Sequence, residues 1–476
     1  MKFSRLSFAV LLVLILFPLS AIRASAGSAY VGGPLPPDPA LGIQQNNDGE
    51  PGIAVDGGGT FWIGSNDMFN DSRSAEVLSG EDVWKSTDGG KTYQWVASPF
   101  GVTSSTTGLA GEDSDIAAAT APNANGYYNV YAASLWVGST SVAISQDGGK
   151  TWVVDPLGGI PVEDRPWIAA DGACTFYVTY HQIPLFDPVV NRYDICNLGD
   201  LAAGVTINPT SQTQLFMNNS VPGLTNDFGK IWVDNSPTSR YRHYVYVPMM
   251  GCDLNGPTQI VQNAETSSGC LNKTEVFLGV STDGGRTFND YKVAEGTNGE
   301  QPVWCCNVTT DAAGTVYTVW SDNHNAYLAH SSDGGQTWSA PVQLNKGGAA
   351  VYPTAAGGSA GVVKVAYYGT TVAGDVNDPV AMGTPGAPGA AQWTVQVATS
   401  TNYGKGFSVA SATSTVHTGV LCSEGDNCSI VNSRDLYDDF GAAINPTTGI
   451  LSVAYTSDQP GSVNANDFTG YATATR

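Results

Sequence analysis

Short runs of alternating apolar and polar residues, bounded by Gly, Pro, Asp or Asn, recur along almost the whole chain. This alternation predicts half-buried β-strands rather than helices. The runs come in pairs with a shared layout: an acidic or polar residue, a short apolar strand, often Asp-Gly, then a second apolar strand. Glu50-Pro-Gly-Ile-Ala-Val-Asp56 with Thr60-Phe-Trp-Ile63 has it, and so does Asp164-Arg-Pro-Trp-Ile-Ala-Ala-Asp171 with Thr175-Phe-Tyr-Val-Thr179. Glu300-Gln-Pro-Val-Trp304 with Thr315-Val-Tyr-Thr-Val-Trp320 belongs to the same set, as does Asp438-Asp-Phe-Gly-Ala-Ala-Ile-Asn445 with Ile450-Leu-Ser-Val-Ala-Tyr455. Weaker members begin near Asp113, Asp227 and Tyr352.

A second pattern lies between these pairs. The octapeptide Ser-x-Asp-Gly-Gly-x-Thr-aromatic reads STDGGKTY from Ser86, SQDGGKTW from Ser145, STDGGRTF from Ser281 and SSDGGQTW from Ser331. Asp bonds backbone amides further along, Gly-Gly supplies a positive-φ turn, and Thr-aromatic opens the next strand. Copies start 59, 136 and 50 residues apart, so the middle gap holds two units. Gly204 to Leu215 fits its degenerate copy, and STNYGKGF from Ser400 follows the fourth intact one. Seven starts predict seven units of about four strands each, with six as the alternative. Small four-stranded sheets repeated about an axis make an all-β single β-propeller. The last unit, ending at Tyr471 to Arg476, has three strands' worth of sequence. Closure by an N-terminal strand is expected, with Leu41 to Gln45 as donor.

The octapeptide resembles the Asp-box, or bacterial neuraminidase repeat, of the sialidase superfamily, and the resemblance spans nearly the whole chain after its leader. It implies that the boxes lie at the turns between third and fourth strands, on the face away from any active site. Asp88, Asp147, Asp283 and Asp333 are then structural. The opposite rim would carry Glu50, Asp113, Asp164, Arg165, Asp227, Glu300, Tyr352, Asp438 and Asp439 around the channel mouth. These residues either cap strand starts and solvate the mouth or form a binding ring.

The N-terminus changes the compartment. Lys2 and Arg5 precede an apolar run from Leu6 to Leu19, and Ala24-Ser25-Ala26 offers small residues for cleavage. Residues 1–26 are expected to be a signal peptide and 27–476 a single propeller domain, secreted or periplasmic. Removing the leader leaves 17 basic against 42 acidic residues, a net charge of −25. That balance argues against nucleic acid and repels anionic ligands unless arginines gather locally. No apolar run reaches the roughly 20 residues of a membrane span, so no membrane insertion is expected.

A sialidase holds its substrate carboxylate with three arginines, whose planar forks bind carboxylates bidentately. It adds a Tyr-Glu nucleophile pair and an Asp acid/base. Arg286 lies in a box, and Arg240 and Arg242 are expected low in the fold. Arg73, Arg165, Arg192 and Arg434 remain for the upper side. The resemblance makes Arg165, Arg434, Tyr437, Glu300 and Asp439 the candidate catalytic set, with Glu50 an alternative base. The sialidase Arg-Ile-Pro element is missing, because Glu50-Pro-Gly-Ile53 stands in its place. Other glycoside hydrolases use a carboxylate pair instead, and non-catalytic propellers bind a glycan or protein ligand through the same loops. A monomer is expected.

The histidines, His181, His243, His324, His330 and His417, show no zinc spacing, so no cofactor is expected. Ca²⁺ is the open alternative in two oxygen-rich loops, Asp67/Asn70/Asp71/Glu76 and Asp322/Asn323/Asn325. Eight cysteines in an exported chain predict disulfides. Cys252–Cys270 and Cys422–Cys428 are the preferred pairs. The adjacent Cys305 and Cys306 are expected either to bond each other or to pair with Cys174 or Cys196.

Overall fold

The structure, a computed structural model, describes residues 29–39, 46, 48–67, 81–100, 112–136, 139–156, 163–182, 188–196, 208–215, 225–252, 274–295, 303–423, 436, 440–459 and 467–476. These form seven antiparallel sheets, each built on four strands in meander order, two of them with a fifth two-residue strand at Trp232–Val233 and His417–Thr418, and one helix of a single turn. The chain is a seven-bladed β-propeller. First strands run Asp48–Val55, Glu112–Ala118, Glu163–Asp171, Thr225–Phe228, Val303–Thr310, Ala350–Gly357 and Gly441–Ile444 in blades 1 to 7. Each falls on or beside one of the seven starts expected from the sequence.

The octapeptides do what their chemistry predicts. In blade 1, Ser86 Oγ donates to Asp88 Oδ1 at 2.8 Å, and Gly90 N–H donates back to Ser86 Oγ at 2.9 Å. Lys91 and Thr92 N–H donate to Asp88 Oδ1, and the Thr92 hydroxyl to Oδ2. The same set recurs around Asp147, Asp283 and Asp333. Both glycines of each copy have φ between 74° and 93°, a region costly for side-chain-bearing residues. The closing rings tuck under the turn: Trp152 and Trp338 Nε1–H donate to the carbonyls of Gly149 and Gly335. Burial would raise the Asp333 carboxyl, but the hydrogen bonds from Thr337, Ser331 and Gln336 outweigh it and hold it at about 2. Ser400 keeps half of the device, donating to Asn402 Oδ1 and accepting from Gly404 N–H.

Blade 3 departs from the expected copy at Gly204 to Leu215. Its fourth strand is Ser211–Gln214, inside that segment, and its turn is organised by Asp194 instead. Asp194 accepts from Arg192, Thr175 and Thr210, and these bonds overcome burial to hold it at about 2. A Cys174–Cys196 disulfide, with Cα atoms 4.8 Å apart, closes the same corner. Neither Cys174 nor Cys196 is therefore available to Cys305 or Cys306. Cys306 and Cys422 are disulfide-bonded as well. The side chains of Cys252, Cys270 and Cys428, on which the expected Cys252–Cys270 and Cys422–Cys428 pairs depend, lie outside the described residues.

The closing strand is Tyr30–Pro34, not Leu41 to Gln45, and it pairs with Phe468–Ala474 as the outermost strand of blade 7. The distance to be crossed explains the difference. From that outer edge the chain must reach the innermost strand of blade 1 at Asp48, past three strand spacings of about 4.8 Å each. Residues 41–45 would leave no chain to make that crossing. They also lie outside the described residues.

Candidate functional site

Where the first strands converge on the axis they bulge. The ladder register shifts between Gly49 and Gly52, Glu112 and Ser114, Asp164 and Trp167, Thr225 and Asp227, Val303 and Asn307, and Val351 and Thr354. Glu50, Arg165 and Tyr352 occupy equivalent bulge positions at φ 51°, 54° and 53°, each followed by a proline that has no N–H for the ladder. Non-glycine residues held in this region are strained, and such strain concentrates at working sites. The bulges lie at the face opposite the octapeptide turns.

The bulged strands enclose an axial cavity, partly open to solvent, and all seven blades line it. Close approach of the strands demands glycine at two lining positions. A Cβ on Gly52 would press on Asp115, and one on Gly229 would collide with the Cys306 carbonyl. One arc of the wall is polar. The Glu50 carboxylate accepts from Asn66 Nδ2 at 3.0 Å, and Asp115 pairs with the Lys230 ammonium. Asp115 also accepts Ile168 N–H at 3.0 Å, so this single carboxylate joins blades 2, 3 and 4. Burial pushes the Asp115 carboxyl up, and Lys230 opposes the shift.

The other arc is apolar with donors set into it. Trp167, Cys306, Tyr352 and Phe440 line it, each more than nine-tenths buried. Tyr352 packs edge-on against Tyr368, whose ring lies 4.5 Å from that of Phe440. The Tyr352 hydroxyl donates to the Cys422 carbonyl. Trp167 Nε1–H has no hydrogen-bond partner among the described residues, and a buried donor of this kind is costly unless something accepts from it. Asn307 Oδ1 accepts Ala355 N–H at 3.1 Å, which directs its Nδ2 donors away from that contact.

Behind the polar arc, Glu81 is fully buried at the upper start of its strand, with both carboxyl oxygens unpartnered among the described residues. Burial, reinforced by Asp115 and Asp82, pushes its carboxyl well above 4.5. The folded state therefore favours protonated Glu81, and that preference is fully expressed below pH 4.5 and lost as pH rises through the folded value. Glu81→Gln is expected to raise the thermal midpoint at pH 8 and leave it unchanged at pH 4. An equal shift at both pH values would contradict this placement.

The expected rim ring is described in part. Glu50 and Tyr352 line the cavity; Asp113 and Arg165 do not, although Arg165 is buried at the blade 3 bulge. The side chains of Asp164, Asp227, Glu300, Arg434, Tyr437, Asp438 and Asp439 lie outside the described residues. Asp115, Trp167, Lys230, Asn307 and Phe440 were missed because each bulge carries the lining position one to several residues past the polar strand start. The X-Pro dipeptides Glu50-Pro51, Arg165-Pro166 and Tyr352-Pro353 were the available signal.

Arg192 was expected on the upper side and lies at the octapeptide face, donating to the Gly284 carbonyl at 3.1 Å and to Asp194. It sits near the end of a third strand, which runs toward that face. Arg240 lies low as expected, donating to the Ser332 carbonyl.

In the second oxygen-rich loop, Asp322 Oδ1 accepts from His324 and Asn325 N–H, and Asn325 Oδ1 from Gln343 and Asn345. Those oxygens serve the loop's own hydrogen bonds. Among the described residues no His, Cys, Asp and Glu group is placed to hold a metal ion, and no helix is long and apolar enough to cross a membrane.

No protein-family model matches the sequence, and no curated protein sequence matches it. Solved structures resemble the chain distantly. A Dyadobacter fermentans protein of unknown function is 14% identical with a TM-score of 0.43, covering 93% of this chain and 97% of its own. The Penicillium chrysogenum α-L-arabinanase is 12% identical with a TM-score of 0.42 over 93% of this chain and 97% of its own. The leech intramolecular trans-sialidase is 13% identical with a TM-score of 0.38 over 90% of this chain and 68% of its own.

Proposed function

We propose that this chain is an exported Asp-box propeller that binds a glycan in the axial cavity, on the face opposite its octapeptides. The observation that carries the reading is the two-sided wall. Trp167, Tyr352 and Phe440 offer apolar ring surface, while Glu50 and Asn307 Nδ2 offer an acceptor and a donor. A sugar ring has the matching anatomy, with apolar C–H faces and hydroxyls that both donate and accept. A stable protein partner would instead need a contact of about 800 Å² per side, far more than the cavity wall offers.

Hydrolysis is the second reading, and it is favoured by the two carboxylates, Glu50 and Asp115, on one arc. Glycosidases divide acid and base roles between such a pair. The rim set Arg165, Glu300, Arg434, Tyr437 and Asp439 would then flank the reacting bond. The test is titration of residues 27–476 with an oligosaccharide panel, read by tryptophan fluorescence, beside turnover of fluorogenic glycosides. Trp167→Ala is expected to weaken binding about tenfold or more, and Trp167→Phe by less, because a smaller aromatic face remains. Turnover abolished by Glu50→Gln with binding retained would support hydrolysis. Binding untouched by both Trp167 variants would place the ligand elsewhere.

A further inference from the structure

We infer that this chain pairs with a second copy of itself through Ser408–Ser411, the outermost strand of blade 6. An outer strand presents unpaired backbone N–H and C=O groups, and folded proteins usually block such edges. The other outer strands here are blocked. Gln94–Ala97 is bulged against its neighbour, Val153–Pro156 and Tyr30–Pro34 end in proline, and Asn289–Glu295 carries Asp290, Lys292 and Glu295. Val342–Gln343 is two residues long, and Ser211–Gln214 is half-buried, with the Thr213 hydroxyl bonded to the Gly285 carbonyl. Ser408–Ser411 has all four residues exposed, and no charge, proline or bulge.

The backbone shows how a copy would fit. Ala412 N–H donates to the Val395 carbonyl at 2.8 Å, and bonded pairs alternate along an antiparallel ladder. Ala410 therefore bonds inward to Val397, while Val409 and Ser411 turn their N–H and C=O outward. A second copy running antiparallel can meet them with its Ser411 opposite Val409 and its Ala410 opposite Ala410. Each Val409–Ser411 pair exchanges two hydrogen bonds, and the twofold axis repeats them. The side chains that meet at the axis are then alanines, small enough for the close spacing of a non-bonded pair.

The surrounding surface favours a second copy over a charged partner. From Pro379 to Ser423 the only Asp, Glu, Lys or Arg is Lys405, in a chain with 42 acidic residues and a net charge of −22. Two such chains repel each other, and an uncharged flank lets them approach at least cost. The flank is also apolar. Val380, Tyr403 and Val409 are 91%, 41% and 40% exposed, three of the five large apolar side chains exposed among the described residues. The cavity lies at the inner strands, so pairing at this outer strand leaves it clear. The pairing departs from the monomer expected from the sequence.

Sedimentation equilibrium of residues 27–476 is the test. A short strand pair makes a weak dimer, expected with a dissociation constant on the order of 10 µM that tightens as salt screens the net charge. Val409→Pro removes an outward N–H from each copy and spares the ladder to Gln392–Ser400. Val409→Glu leaves the backbone alone and adds like charge to the edge. Each is expected to weaken the dimer about tenfold or more, with the thermal midpoint of the dilute protein unchanged. A single-chain mass at concentrations up to about 200 µM would overturn the inference. So would a dimer whose affinity neither substitution alters.

Discussion

Deleting residues 27–46 is expected to remove most of the stability of the propeller. The segment holds the fourth strand of blade 7, Tyr30–Pro34, which pairs over its full length with Phe468–Ala474. Leu35 follows, fully buried in the core shared by blades 1 and 7 beside Ile53, Trp84 and Ala454. Its burial contributes about 2 kcal/mol. Asn46 then staples the chain, donating to the Leu35 and Thr469 carbonyls and accepting Thr469 N–H at 2.8 Å. Hydrogen bonds of this kind contribute about 1 kcal/mol each. Together with the lost ladder these terms reach several kcal/mol, comparable with the roughly 5–15 kcal/mol that holds a typical domain folded. The truncated chain also exposes the unpaired edge of Phe468–Ala474, an invitation to pair with another chain. Loss of a cooperative thermal transition, with aggregation, is the expected result. A truncated chain that melts within a few degrees of the full one would contradict the closure.

Asp115→Ala is expected to cost about 3–5 kcal/mol, the usual penalty for stranding one partner of a buried ion pair. Lys230 would lose its counter-charge, Ile168 N–H its acceptor, and blades 2, 3 and 4 their common tie. Asp115→Asn keeps an acceptor for Ile168 and is expected to cost less. Adding Lys230→Met to Asp115→Ala removes the stranded charge and should recover part of the loss. Urea denaturation of these variants, of Lys230→Met alone and of the unaltered protein measures this. Additive effects of the two single substitutions would contradict the coupling.

The fold was largely legible in the sequence because a propeller repeats its rules. The Ser-x-Asp-Gly-Gly device is local, so its four copies could be read directly, and their spacings located the units that lacked it. Blade 3 was less legible because hydrogen bonds to Asp194 from Thr175 and Thr210, and a Cys174–Cys196 disulfide, replace the device with contacts further apart in sequence. The closing strand was misplaced because alternation marks a strand but says nothing of the distance it must span. The site was harder still. A bulge moves the lining position past the polar residue that marks the strand start, so Asp113 was singled out where Asp115 lines the cavity. The partnership of Asp115 with Lys230 joins residues of two non-adjacent blades, and no local pattern announces it.

The most direct test of the central claim is a crystal structure of residues 27–476 with an oligosaccharide bound. A sugar ring is expected on the axis, packed against Trp167 or Tyr352 and hydrogen-bonded to Glu50 and Asn307 Nδ2. A saccharide held at the octapeptide face or on an outer blade edge, with the axial cavity filled only by water, would contradict it.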